Sequence, residues 1–232
     1  MQAPMQAIQS AGATSERQRT YREPPGALDF LEQFGSTITV RRAHEIYGHD
    51  QPADYCWRIL SGCARTVVLM EDGRRHVSEF LWSGDILGMD DLETYFSDAE
   101  AVTDVLLRRY PRRIVEAQAK SHAALALWLR ALTVANLRTA HRQIVLLGRK
   151  TAAERIASFL LEMDRRSAPI EGQPLELPMS RTDIADHLGL SIETVCRNLT
   201  HLQRKGTLAI LRSGIELRNR VALLEMACEP SF

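Results

Sequence analysis

The chain has 232 residues, of which 45% are hydrophobic and 25% charged, and its formal net charge at pH 7 is zero. This length allows one large domain or two small ones, each with its own hydrophobic core. The charge balance excludes a generally basic surface, but residues 149–220 carry twelve Lys or Arg against nine Asp or Glu, a local net charge of +3. The composition is typical of a soluble globular protein with one mildly basic region, which favours nucleic-acid binding without establishing it.

The N-terminal segment and the cysteines indicate the compartment. Residues 1–26 are rich in Gln, Ala, Ser and Pro and are predicted to form a disordered tail. The first residues lack the basic start and apolar core of a signal peptide, and no apolar run approaches the roughly 20 residues of a membrane span. Cys56, Cys63, Cys196 and Cys228 form no C-x-x-C pair. We therefore expect a cytoplasmic protein with free thiols and no membrane partner.

Between residues 27 and 120, short apolar runs alternate with turns. Strands are predicted at 37–40, 56–60, 64–70 and 76–81, after a short helix that includes Leu31. Asp72-Gly73 separates the last two runs, and this dipeptide is typical of a β-hairpin turn. Strands at this spacing, separated by turns that contain Gly, predict a barrel or jelly roll.

Some jelly rolls hold a catalytic metal, which requires clustered His and carboxylate ligands. Here His44, His49 and His76 are scattered along the sequence and form no H-x-H pair. The sequence offers no other catalytic constellation. We therefore expect neither a metal site nor an enzyme.

Residues 121–147 contain no Pro or Gly, and Gly148 follows, which predicts one long helix over 121–148. Its side chains form two stripes at helical spacing, so the helix must be covered on two sides. The first stripe is Leu125, Leu129, Leu132, Asn136, Thr139, Gln143 and Leu146, and the second is Leu127, Ala131, Val134, Leu137, His141 and Ile144. We assign the first stripe to a parallel coiled coil with a second copy, in which Asn136 and Gln143 set the register. A helix wrapped inside one domain is the alternative.

The stretch 180–205 predicts two short helices joined by a tight turn. Its apolar residues recur at helical spacing and would share one buried face: Ile184, Ala185, Leu188, Val195, Leu199 and Leu202. Gly189 ends the first helix and Ser191 caps the second. A small Ala185 allows the close crossing of a helix-turn-helix, to which an ordinary helical hairpin is the alternative.

A helix at 150–163 precedes this motif, and a β-hairpin at 208–217 and a last helix follow it. A helix-turn-helix followed by a hairpin is a winged helix. The predicted fold class is therefore α+β, with a β-roll at 27–120, a dimerisation helix at 121–148 and a DNA-binding winged helix at 149–232.

This order of elements, together with Glu193-Thr194-Val195-Cys196-Arg197, resembles the CRP/FNR superfamily of bacterial transcription regulators. Members that bind cyclic nucleotides carry Gly-Glu and Arg-Ser where this chain has Gly88-Met89 and the segment Asp98-Ala99-Glu100-Ala101, so a cyclic phosphate would meet no guanidinium. Oxygen-sensing members bind an iron–sulfur cluster through N-terminal cysteines, and residues 1–55 contain none. The chain resembles the FixK-like branch, which implies no cofactor.

The resemblance implies a homodimeric regulator, mainly an activator, that recognises TTGA-N6-TCAA-like palindromes. Such sites lie upstream of genes for microaerobic or anaerobic respiration, denitrification or nitrogen fixation. Glu193 and Arg197 would read bases, which agrees with their chemistry, since Arg pairs with guanine and Glu accepts from cytosine N4. Ile192 would contact a thymine methyl, and Cys196, beside these positions, is the fourth residue expected to read bases. The candidates for phosphate contacts are Ser180, Arg181, Ser191, Thr194, Thr200, Arg204 and Lys205.

Several alternatives stay open at this point. Cys196 is either a small filler or a redox switch, because an oxidised thiol beside phosphates would block binding. Asn198, where the family usually has an apolar residue, would weaken packing or add a polar contact. Asp72-Gly73 is either a plain turn or a loop that touches RNA polymerase. The competing function is a regulator gated by a small effector or by haem in the roll, with His44, His49 and Cys56 as conceivable ligands.

Overall fold

A computed structural model of the chain describes residues 29–89, 93–167, 174–212 and 214–227, so the predicted tail at 1–26 lies outside the described residues. These residues form two compact units. The first contains the chain up to Ala64 together with Leu81–Ala135, and the second contains Arg65–Phe80 together with the chain from Asn136 onward. The hairpin at 65–80 therefore groups with the C-terminal part rather than with the rest of the roll. Within the described ranges, no helix is both long and apolar enough to cross a bilayer.

The roll begins with a 3-10 helix at Asp29–Phe34, and eight strands follow it. They are β1 (Ser36–Val40), β2 (Glu45–Tyr47), β3 (Tyr55–Ser61), β4 (Cys63–Leu69), β5 (Arg75–Trp82), β6 (Ile86–Leu87), β7 (Asp98–Ala101) and β8 (Val105–Pro111). They form two four-stranded sheets with the orders β1-β8-β3-β6 and β2-β7-β4-β5. This arrangement confirms the predicted β-roll, including the four predicted strands.

The centre of the roll is a continuous apolar cluster contributed by most of its strands. Its buried members are Tyr47, Ala53, Trp57, Ile59, Ala64, Leu81, Leu87, Tyr95, Ala99, Ala101, Val105 and Leu107. Tyr47 and Tyr95 stack with their ring centroids 3.8 Å apart. The Tyr95 hydroxyl donates to the Tyr55 carbonyl at 2.7 Å, so its polar end is satisfied.

Two helices follow the roll, α1 (Arg112–Ser121) and α2 (Ala123–Arg149). The N-terminal part of the first predicted stripe packs within the first unit, because Leu125 is buried with Trp128 in a cluster on which Leu129 and Leu132 pack. The second stripe is exposed: Leu127 is 62% exposed, Val134 42%, Leu137 55% and Ile144 67%.

This exposure corrects the assignment of the seam. Leu125 is 0% exposed in a single chain, so a partner cannot reach it. Gln143, which we expected to set register in a seam, donates instead to the His187 carbonyl of its own chain. Both stripes contain similar apolar residues, which is why the sequence pattern did not distinguish them.

The C-terminal unit is a winged helix, as predicted. Its elements are α3 (Ala152–Ser167), α4 (Arg181–Leu188), α5 (Ile192–Arg204), β9 (Leu208–Leu211), β10 (Gly214–Leu217) and α6 (Arg220–Ala227). β9 and β10 pair antiparallel, and Leu175 forms a single bridge with Ile215 of β10.

The hairpin of β4 and β5 belongs to this second unit through ion pairs and ring contacts. Arg65 and Arg75 reach Oδ1 of Asp183 at 2.7 and 2.6 Å, and Arg75 also pairs with Asp186 at 2.9 Å. Phe80 packs edge-on against Phe159 with their centroids 6.3 Å apart. The hairpin is therefore attached to α4, the first helix of the helix-turn-helix, by ion pairs and to α3 by a ring contact.

Candidate DNA-binding site

Helix α4 begins with a complete capping box. The Ser180 hydroxyl accepts from the Asp183 amide, and the Asp183 carboxylate accepts from the Ser180 amide at 3.0 Å. Burial by itself would raise the pKa of Asp183, but the hydrogen bonds from Ser180 and the guanidinium groups of Arg65 and Arg75 outweigh it and lower the pKa. Asp183 therefore stays ionised while it caps the helix.

The turn after α4 requires a glycine. Gly189 has φ +60° and ψ +43°, the left-handed conformation that ends many helices, and its amide donates to the Ala185 carbonyl. A Cβ at this position would lie 3.3 Å from Leu147 Cδ2 and 3.5 Å from Arg155 Nη1. The sequence prediction of Gly189 as the end of α4 is confirmed.

Helix α5 has one buried and one exposed face. Ser191 caps it by accepting from the Thr194 amide at 3.2 Å. The side chains at Val195, Leu199 and Leu202 are buried. The opposite face, which we call the reading face, presents Ile192, Glu193, Cys196 and Arg197 to solvent. The four residues expected to read bases are thus neighbours on one accessible surface.

The reading face combines an anion and a cation one helical turn apart. The exposed carboxyl of Glu193 has a lowered pKa, because it accepts from its own backbone N–H and from the Ser191 hydroxyl. Arg197 donates through Nη2 to the Thr194 hydroxyl at 3.4 Å. Among the described residues, its other nitrogens are left free to donate elsewhere. An ionised acceptor and a forked donor at this spacing can pair with a cytosine and a guanine in a major groove.

The predicted phosphate contacts fall into two groups. Arg204 and Lys205 are exposed at the end of α5, and Arg181 is half-buried at the start of α4. The four hydroxyls already have partners within the chain: Ser180 and Ser191 serve as caps, Thr194 lies 3.1 Å from Ser191, and Thr200 donates to the Cys196 carbonyl at 2.9 Å. The cations are thus the freer candidates for phosphate binding.

Asn198 adds a polar contact. Its Nδ2 donates to the Thr194 carbonyl at 2.8 Å, and the side chain is half-buried beside the reading face. This back-bond satisfies the amide group on the helix itself.

The winged hairpin carries exposed cations that the sequence analysis did not single out. Arg212 lies at its turn and Arg218 after β10, and both are exposed. Arg218 also pairs with Glu216 at 3.0 Å. The signal that could have indicated them is a basic residue next to the Gly214 turn of a wing, since backbone-contacting cations need only proximity and charge.

The carbonyls at the end of α4 are satisfied by side chains that the sequence analysis also missed. Arg155, from α3, donates through Nη1 to the Leu188 carbonyl and through Nη2 to the Leu147 carbonyl, both at 2.8 Å. Gln143, from α2, donates to the His187 carbonyl at 2.8 Å. These contacts join residues far apart in sequence, so no local sequence pattern predicts them.

The strand of the roll where a cyclic phosphate would need a cation carries carboxylates instead. The strand where the phosphate-binding Arg is expected is β7, in which Ala99 and Ala101 are fully buried and Asp98 accepts from the His49 amide at 2.7 Å. A Cβ at Gly88 would already lie 2.9 Å from the Tyr95 ring. The interior is filled by aromatic and apolar side chains, and its strand offers a carboxylate where a phosphate needs a cation.

The described residues do not favour haem or metal binding either. Burial raises the pKa of Cys56 to about 12, so its thiol is neutral at physiological pH. His44 and His49 are exposed on or beside β2. In the ranges that the structure covers, no cluster of three His, Cys, Asp or Glu side chains could hold a metal ion.

Comparison with known proteins agrees with the two halves of this architecture. Residues 37–122 match the family described as cyclic nucleotide-binding domain, and residues 154–226 match the Crp-like helix-turn-helix domain. The nitrogen fixation regulation protein FixK of Azorhizobium caulinodans is 44% identical over 82% of this chain and 78% of that protein. The chain belongs to the CRP/FNR family of transcription regulators, in its FixK-like branch.

Two further proteins extend this likeness. The FixK protein of Rhizobium meliloti is 36% identical over 74% of this chain and 77% of its own length. The solved structure of FixK2 from Bradyrhizobium japonicum is 39% identical, covers 85% of this chain and 99% of that one, and superposes with a TM-score of 0.80. These relatives are regulators of transcription, so the family places this chain among DNA-binding regulators and not among enzymes.

Proposed function

We propose that the protein is a homodimeric activator of transcription that binds TTGA-N6-TCAA-like palindromes. The observation that carries the proposal is the reading face, where an ionised Glu193 and an exposed Arg197 lie one turn apart beside Ile192. An Arg pairs with guanine, a Glu accepts from cytosine N4, and an apolar side chain suits the thymine methyl. Arg204 and Lys205, with Arg181, would bind the flanking phosphates.

The exposed stripe of α2 supports the dimer. Leu127, Val134 and His141 follow each other at seven-residue intervals, and Leu137 and Ile144 lie three residues after the latter two, which is a heptad pattern. Four exposed apolar side chains along one helix face are costly in water, and a parallel second copy would bury them. A palindrome would match such a two-fold dimer, because each half-site meets an identical reading face.

The relatives suggest the physiological role and the cellular setting. Two of them are named for regulation of nitrogen fixation, and we propose control of such genes, or of microaerobic or anaerobic respiration, in the cytoplasm. The turn at Asp72 and Gly73 is exposed, and we propose it as a contact for RNA polymerase. Because the roll interior is filled, we propose a regulator that works without a cofactor.

Selection from a random pool of DNA fragments tests the proposal. Wild-type protein should recover palindromes with TTGA half-sites, and Arg197→Ala should lose about 1–3 kcal/mol of binding free energy at each half-site, measured by fluorescence anisotropy. Glu193→Gln should relax the preference at one base pair while changing nonspecific binding little. Arg41→Ala, which removes an exposed arginine just after β1, is the matched control. Recovery of sites without two-fold symmetry would overturn the proposal.

A further inference from the structure

The end of α4 is held by donors from outside the helix-turn-helix. The last carbonyls of any helix have no amide partner within it and need donors from elsewhere. Here Gln143 Nε2 donates to the His187 carbonyl at 2.8 Å, and Arg155 Nη1 donates to the carbonyls of Leu188 at 2.8 Å and Gly189 at 3.4 Å. The donors come from α2 and α3, so three helices meet at the turn.

The same guanidinium also fixes the junction between α2 and α3. Arg155 Nη2 donates to the Leu147 carbonyl at 2.8 Å, near the end of α2, and Nε donates to the Lys150 carbonyl at 3.0 Å, just before α3. One planar cation therefore joins the end of the long helix, the start of the next helix and the turn before α5. A lysine, with a single flexible ammonium, cannot keep these directions at once.

This cluster lies close to the start of the reading helix. Ser191, the N-cap of α5, is two residues after Gly189, and the reading face begins at Ile192. The turn is short, and a Cβ at Gly189 would lie 3.3 Å from Leu147 Cδ2, so the turn before α5 packs closely against the end of α2.

We propose that Arg155 and Gln143 are positioning residues that fix the reading helix relative to α2 and thereby set the half-site spacing that the dimer accepts. The proposal rests on the proposed function, since spacing has meaning only for a dimer on a palindrome. Neither side chain lies on the reading face; each acts through the carbonyls of residues 187–189.

The test compares Arg155→Lys and Gln143→Met with wild type on palindromes whose spacers are 5, 6 and 7 base pairs. Arg41→Lys and Gln118→Met serve as controls with the same chemical change elsewhere. Wild type should prefer one spacer. Each variant should reduce the ratio of affinities between spacers by about three- to tenfold, the range for losing one or two hydrogen bonds. A general loss of stability would lower all three affinities together and leave that ratio unchanged.

Hydrogen–deuterium exchange of the same proteins without DNA supplies a second readout. Amides of the turn and the first turn of α5 should exchange faster in both variants and not in the controls. Exchange rates in both variants equal to those of wild type would overturn the proposal. So would unchanged affinity ratios between spacers, provided that wild type prefers one spacer. A wild type that discriminates no spacer would overturn the proposed function, and the exchange data would then show separately whether the cluster holds the turn.

Discussion

The roll and the winged helix have kept their family folds but treat their functional surfaces differently. In the roll, Tyr47 and Tyr95 stack within the buried apolar cluster, and β7, where the family resemblance places the phosphate-binding Arg, supplies no cation. In the winged helix, the side chains with recognition chemistry are exposed and supported from behind by caps and a buried apolar face. A fold can thus persist after its site is lost, and function has to be argued from each site separately.

Disrupting the dimer is expected to reduce DNA affinity more than any of the other changes considered below. Leu137→Glu places a charge in the exposed stripe of α2 and should convert the protein to a monomer. Loss of the second reading face should then weaken binding to a palindrome by about 10²–10⁴-fold, because the two half-sites no longer act together. Sedimentation velocity and fluorescence anisotropy measure the two effects. Leu224→Glu changes an equally exposed leucine on α6 and should alter neither; a dimer that survives Leu137→Glu would refute the seam.

Acid should destabilise the winged-helix unit through His187. Its pKa is lowered to about 4, chiefly by desolvation between Phe80 and Phe159 and also by His76 and Arg166, while the Val77 carbonyl and Glu162 oppose the shift. The unfolded chain binds this proton below about pH 6.5, so stability falls between roughly pH 6.5 and 4, by up to about 3 kcal/mol.

Urea unfolding at several pH values, followed in wild type and His187→Gln, measures this loss. Stability of the variant should depend less on pH in that window, while His44→Gln, which replaces an exposed histidine beside β2, should follow wild type. Asp183, with a lowered pKa, loses its stabilising contribution only below about pH 4, so the two groups separate by pH. Equal slopes for His187→Gln and wild type would contradict the assignment.

Oxidation should distinguish the exposed thiol from the buried ones. Cys196 is exposed on the reading face, whereas Cys56 and Cys63 are buried. Peroxide should lower the DNA affinity of the wild type by about tenfold or more, because a sulfur acid beside phosphates is repelled, and Cys196→Ser should be protected. Band shifts in a Cys228→Ser background keep that residue, which lies outside the described part of the chain, from contributing. Equal loss in both proteins would show that Cys196 is only a small filler.

The smallest expected effect is that of cyclic AMP. Because the roll interior is packed and β7 presents Asp98 rather than an arginine, millimolar nucleotide should change DNA affinity by less than about twofold. Anisotropy titrations with and without nucleotide measure this. A clear increase in affinity would show that the filled roll can still open for an effector, and would favour the ligand-gated alternative.

The parts of this molecule that the sequence predicts are those set by local pattern. Strand runs, the Asp72-Gly73 turn, the Ser191 cap and the Gly189 turn depend on residues close in sequence, so the roll and the helix-turn-helix were predictable. The inward stripe of α2 was not, because both stripes are apolar and only the neighbouring strands decide which is buried. The contacts of Arg155 and Gln143 depend on residues up to 44 positions away, which no periodicity encodes.

The pairing of Arg65 and Arg75 with Asp183 bears on how DNA-binding winged helices can be exchanged between relatives. A chimaera joined at residue 149 would separate the capping aspartate from its two arginines and Phe159 from Phe80. The winged helix of the relative would then present a different surface to the β4–β5 hairpin, whose side chains complement the original winged helix. The segment to be exchanged is discontinuous. Residues 65–80 have to be exchanged together with the C-terminal half if the chimaera is to have the new specificity and remain stable.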